Sequence, residues 1–262
     1  MRHVVNWVLK MQRVLISLAV AAVLTAFAGQ GAASAATLSQ VNSSNVFGTN
    51  GNTAVRLDYN GPGTSNDFEN ANVRAGGLAL TTTGTAAGSF VAWCLDIFHA
   101  LDLPETYNIT TTPFSQTSGT ITPIRLANIQ KLFNTGYSSL VLTNAAQSAG
   151  FQLALWELLY ETSGTRSLSN GNGVFDADNI STAAVQAVAF ANQLLGGLNG
   201  AATGAYQLVF YESAESTRGR QYSQNLISVT PVPLPAAGLM LGAGLIGLFG
   251  LKRLKKRDAA AA

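Results

Sequence analysis

Two residues in this 262-residue chain are of types that can bond covalently to each other: its only cysteine, Cys94, and one glutamine, Gln152. Each sits in an apolar run, Phe90-Val91-Ala92-Trp93-Cys94-Leu95-Asp96-Ile97-Phe98 and Gly150-Phe151-Gln152-Leu153-Ala154-Leu155-Trp156-Glu157-Leu158-Leu159-Tyr160-Glu161. A buried glutamine must satisfy its amide or lose about 1–3 kcal/mol, so Gln152 requires a partner. A thiolate that attacks its carbonyl and expels ammonia leaves an intramolecular thioester, an acyl electrophile held for an incoming nucleophile. Two plainer readings stand beside this one. Free cysteine is among the most buried residue types, and a core glutamine often bonds a neighbouring carbonyl.

The elements that must position the pair can be read from pattern. Gly88 to Phe98 is apolar at nearly every position and predicts a strand buried on both faces. Asn144 predicts the N-cap of the helix that carries Gln152 to about Glu161. Before it, Thr122-Pro123 opens a helix over Ile124 to Phe133, stopped at Asn134 to Gly136. After it, 170–179 reads as an Asn/Asp/Gly loop, and Ser181 to Leu195 as a helix with Ala184, Val188, Ala191 and Leu195 on one face. From Thr37 to about Thr120 the chain is rich in Thr, Ser, Asn and Gly, with short alternating stretches such as Ala54 to Tyr59. Pro104 to Thr112, Tyr206 to Glu212 and Gln221 to Val229 read as further strands. The expected class is α+β: a strand-rich N-terminal half, a helical middle and closing strands in one domain over 37–230, plus a C-terminal transmembrane helix.

At Trp93-Cys94 and at Phe151-Gln152-Leu153-Ala154-Leu155-Trp156 the sequence resembles the thioester domains of bacterial surface adhesins. That family places its cysteine after an aromatic residue and its glutamine in a hydrophobic-Gln-x-Ala-hydrophobic-Trp motif. The resemblance implies a Cys94–Gln152 thioester, with an amine such as a partner's lysine displacing the thiolate to leave an amide at Gln152. Trp93, Phe151 and Trp156 would shield the bond from water. Lys131 is the only lysine between Thr37 and Pro231, so few of the chain's own amines compete.

Both ends read as export signals. Residues 1–36 have a basic start (Arg2, Lys10, Arg13), an apolar run from Val14 to Ala28, and Ser34-Ala35-Ala36 as a cleavage site for signal peptidase, cut before Thr37 or equally one residue earlier; Met11 is an alternative start. At the other end, over 231–257, Val232-Pro233-Leu234-Pro235-Ala236 leads into an uncharged stretch to Leu251 and then Lys252, Arg253, Lys255, Lys256 and Arg257. The twenty residues from Val232 to Leu251 are long enough to cross a bilayer, and the basic cluster would stay on the cytoplasmic side. This order resembles the VPLPA form of the PEP-CTERM sorting signals of Gram-negative bacteria. The resemblance implies an inner-membrane precursor processed by an exosortase, then the cell surface or extracellular matrix.

Composition narrows the remaining classes. Between Thr37 and Pro231 there are seven basic and twelve acidic residues, a net charge of −5, which argues against nucleic acid as a partner. A single cysteine excludes an internal disulfide and a multi-cysteine metal site. No cofactor or metal is expected: the Asn/Asp loop at 170–179 lacks the closing glutamate of a calcium loop. The acid pairs Asp176/Asp178 and Glu157/Glu161 suit solvated or capping roles better than sugar hydrolysis. His99 is the one histidine after residue 36, and alternation along a strand would put it on the face opposite Cys94, so unless the chain bulges no hydrolytic nucleophile set is expected. The expected product is a non-enzymatic surface protein, either a covalent adhesin or a non-covalent structural or matrix protein.

Overall fold

The structure, a computed structural model, describes residues 34–42, 44–61, 67–83, 88–112, 121–162, 166–169, 173–178, 180–199, 204–213 and 222–232. Nine strands and three α-helices are described: β1 Ser34–Gln40, β2 Asn52–Tyr59, β3 Phe68–Gly76, β4 Leu78–Thr83, β5 Gly88–Cys94, β6 Glu105–Thr110, α1 Pro123–Gly136, α2 Ala145–Tyr160, β7 Phe175–Asp178, α3 Thr182–Gly196, β8 Tyr206–Ser213 and β9 Leu226–Pro231. The class is mixed α+β, rich in strands. Six strands close into an antiparallel barrel in the order β1-β4-β5-β9-β8-β6, and β3-β2-β7 form a separate three-stranded sheet.

Side-chain alternation sets the faces. Along β2, Thr53, Val55, Leu57 and Tyr59 are buried while the residues between them are not, the period of two that a half-buried strand requires. Each helix begins at a side-chain cap: the Thr122 hydroxyl accepts from the Arg125 N–H, the Asn144 carbonyl from Gln147 and the Ser181 hydroxyl from Ala184. Such a cap contributes about 1 kcal/mol. In α2 every residue from Ser148 to Tyr160 is buried, so the helix has no solvent face and forms the centre of the core. It packs against α1, α3 and the β2–β3 sheet, while its Phe151 ring lies 4.6 Å from Trp93 of the barrel. Gly150 permits the approach of α3, because a Cβ there would stand 2.6 Å from the Ala187 carbonyl oxygen.

Several expectations change. The strand expected to reach Phe98 ends at Cys94; beyond it, Leu95 still bonds the Asn225 carbonyl, but the chain then turns. The apolar residues Ile97 and Phe98 pack on the core from that turn, which is why their hydrophobicity resembled a longer strand. The expected loop at 170–179 holds strand β7, in which Asp176 pairs with Asp58 and Asp178 with Arg56 of β2. The last strand starts at Leu226, later than expected. The expected signal residues 1–33, the sorting residues Pro233, Leu234, Pro235 and Ala236, the expected membrane helix and the basic residues Lys252, Arg253, Lys255, Lys256 and Arg257 lie outside the described residues. Ser34, Ala35 and Ala36, read as the cleavage site, pair with β6 as the first residues of β1. Among the described residues no helix is long and apolar enough to cross a membrane.

Candidate functional site

Cys94 is the last residue of β5, paired with Leu226 of β9, and Gln152 reaches it from the second turn of α2. The Cys94 N–H donates to Gln152 Oε1 at 2.8 Å, and Gln152 Nε2 donates to the Cys94 carbonyl at 2.8 Å. The amide is therefore clamped on both sides by the backbone of the cysteine, 58 residues away in sequence. A backbone N–H on the amide oxygen is the arrangement that stabilises negative charge developing there during acyl transfer. The Nε2 atom, the leaving ammonia of thioester formation, lies on the carbonyl of the same residue. The Cys94 thiol itself is buried, and burial, followed by the nearby Asp96 carboxylate, pushes its pKa well above the usual thiol range.

The aromatic residues next to the pair in sequence pack on one another. Trp93 and Phe151 are fully buried against each other, and Phe133 and Tyr137 close on the Phe151 ring at 5.0 and 5.9 Å. Trp156 is one turn beyond Gln152 on α2; its indole N–H is buried with no hydrogen-bond partner among the described residues. It lines a cavity of about 270 Å³ together with Cys94, Leu78, Arg74, His99 and Gln224.

His99 thus faces the same cavity as Cys94, where strand alternation would have separated them. The turn after Cys94 is the reason. It is fixed by Tyr160, whose hydroxyl donates to the Leu95 carbonyl at 2.8 Å, and by Asp96, whose Oδ1 accepts from the Phe98 and His99 N–H groups. The other Asp96 oxygen lies 2.5 Å from His99 Nδ1, and Gln224 Nε2 donates to the Asp96 carbonyl. Asp96 is completely buried, while the His99 side chain keeps 21% of its surface exposed. The sequence contained one signal for this pair, an Asp and a His three residues apart after an apolar run. Reading that run as continuous strand concealed it.

The other acids divide. Glu157, expected to suit a solvated or capping role, is completely buried; its Oε1 accepts from the Ser167 N–H at 2.8 Å, and burial followed by the Glu161 charge pushes its pKa up to about 8. Glu161 accepts from the Val174 N–H at 2.9 Å and ties the chain before β7 to the end of α2. Asp176 and Asp178 border a depression with Asp58 and Glu69, and among the described residues no group of three or more His, Cys, Asp or Glu is placed to hold a metal ion. Val232, the first residue of the expected sorting motif, is exposed just after β9, where its N–H donates to the Ala205 carbonyl.

No family model matches the chain, and no curated protein matches it. Among solved structures it is similar to the N-terminal domain of the pilus tip adhesin Cpa of Streptococcus pyogenes. The TM-score is 0.41 at 14% identity, over 71% of this chain and 95% of that one. This is a weak similarity.

Proposed function

We propose that the chain is an exported bacterial surface or matrix protein whose Cys94 and Gln152 form a thioester that captures a primary amine on a partner. The observation that supports it is the seating of the Gln152 amide on the backbone of the chain's only cysteine, with 2.8 Å contacts at both amide atoms and the thiol buried. Thioester formation joins Cys94 Sγ to Gln152 Cδ, releases the amide nitrogen as ammonia and carries the thiol proton away on it. Capture then joins the amine nitrogen to Cδ, breaks the C–S bond and regenerates the thiol. Export and surface delivery rest on the sequence signals over 1–36 and 231–257, with signal peptidase and an exosortase as processing enzymes and the inner membrane as the site of the precursor.

A second reading has its own support in the same contact. The Cys94 N–H and carbonyl are both satisfied by Gln152, so the pair also works as a non-covalent clamp between barrel and helix in a structural protein. Incubation with a fluorescent primary amine separates the two. Thioester chemistry predicts label that survives denaturing electrophoresis and is lost in Cys94→Ala and Gln152→Leu; equal labelling of all three, or none of the native chain, contradicts it. Fractionation tests export: full-length chain found soluble in the cytoplasm would exclude the sorting route.

A further inference from the structure

Beside the proposed bond lies a proton-handling group that the thioester chemistry needs and that Cys94 and Gln152 do not contain. An attacking amine must lose a proton, and the departing thiolate, held in a buried site that strongly disfavours its charge, must gain one. The cavity next to Cys94 contains one imidazole, His99, with Nδ1 held by the buried Asp96 carboxylate at 2.5 Å. Asp96 cannot swing away, because its other oxygen accepts two backbone N–H groups. The tautomer this favours leaves Nε2 as an acceptor, and among the described residues Nε2 has no hydrogen-bond partner. Independently, Trp156, which lines that cavity, holds a buried indole N–H that has no hydrogen-bond partner among the described residues.

We propose that His99, oriented by Asp96, is the general base and acid of amine capture, acting from the cavity of about 270 Å³ that admits the amine beside Cys94. The inference rests on the thioester reading. The amine nitrogen bonds to Gln152 Cδ and gives a proton to His99 Nε2. The C–S bond breaks, and the imidazolium returns its proton to the departing Cys94 sulfur. Amine and thioester are thereby converted to amide and thiol with no further reactant.

The test uses the full-length chain with methylamine as the probe, and measures by mass both the ammonia deficit before reaction and the rate of methylamine addition. His99→Ala and His99→Gln should keep the deficit and add methylamine about a hundredfold more slowly than the native chain. Free imidazole should restore part of the rate in His99→Ala, which a purely structural role would not produce. Deficit retained with rates within threefold of native would overturn the role of His99 while leaving the thioester standing. A native chain with no deficit would overturn both. Circular dichroism confirms folding of each variant, and because His99 is partly exposed, His99→Gln serves if His99→Ala does not fold.

Discussion

Replacing Cys94 by alanine should separate a crosslinked core from a clamped one by the size of its effect on stability. The backbone N–H and carbonyl of residue 94 survive the substitution, so the variant, which keeps the Gln152 amide, holds both 2.8 Å hydrogen bonds of the amide form. In a non-covalent protein the loss is one small buried side chain, about 1 kcal/mol by area burial. In a crosslinked protein the substitution also releases a loop of 58 residues. Treating the thioester as a crosslink equivalent to a disulfide, loop-closure entropy for that length is about 4 kcal/mol. For a chain of this size such a change lowers Tm by roughly 8–16 °C. Thermal unfolding followed by circular dichroism should therefore show a drop of that order for Cys94→Ala, and methylamine treatment of the native chain should lower Tm similarly, because it too opens the loop. A drop of only a few degrees for Cys94→Ala, with no effect of methylamine, would refute the crosslink.

Gln152→Leu should be destabilised by about 2–6 kcal/mol even where no thioester forms, since it strands both backbone groups of Cys94 in the core; urea unfolding measures it. Gly150→Ala should lose about 1–3 kcal/mol in the same assay, because its Cβ would force α2 away from the Ala187 carbonyl. Glu157→Gln should stabilise the protein at high pH and change little near pH 5. The folded carboxyl, raised from 4.5 to about 8, binds its proton more tightly than the unfolded one, so the native chain loses stability as pH rises across that window. The upper bound is roughly 4–5 kcal/mol, and Tm measured at pH 5 and pH 8.5 reads the difference.

Much of the scaffold was legible because its signals are local. Thr122, Asn144 and Ser181 each cap a helix through a side-chain oxygen, and the apolar composition of α2 matches a helix buried on every side. The juxtaposition of Cys94 and Gln152 was suggested by residue type and motif, since a buried amide needs a partner. β7 escaped because Asn, Asp and Gly favour turns, and its strand geometry comes from pairing with β2. The end of β5 escaped because Leu95, Ile97 and Phe98 are as apolar as a strand, whereas the turn there depends on Tyr160 and Gln224, distant in sequence. With that turn unseen, the place of His99 in the Cys94 cavity was unseen too. Glu157 gave no local sign of burial, because its surroundings are set by Ser167 and the packing of α2.

The most direct measurement is the intact mass of the purified full-length chain before and after methylamine, beside Cys94→Ala. A thioester predicts a native mass one ammonia below the value calculated for the chain measured, addition of one methylamine that maps to Gln152, and neither change in Cys94→Ala. An undiminished native mass with a free, titratable Cys94 thiol and no methylamine addition would contradict covalent capture and leave the Gln152 clamp as a purely structural device.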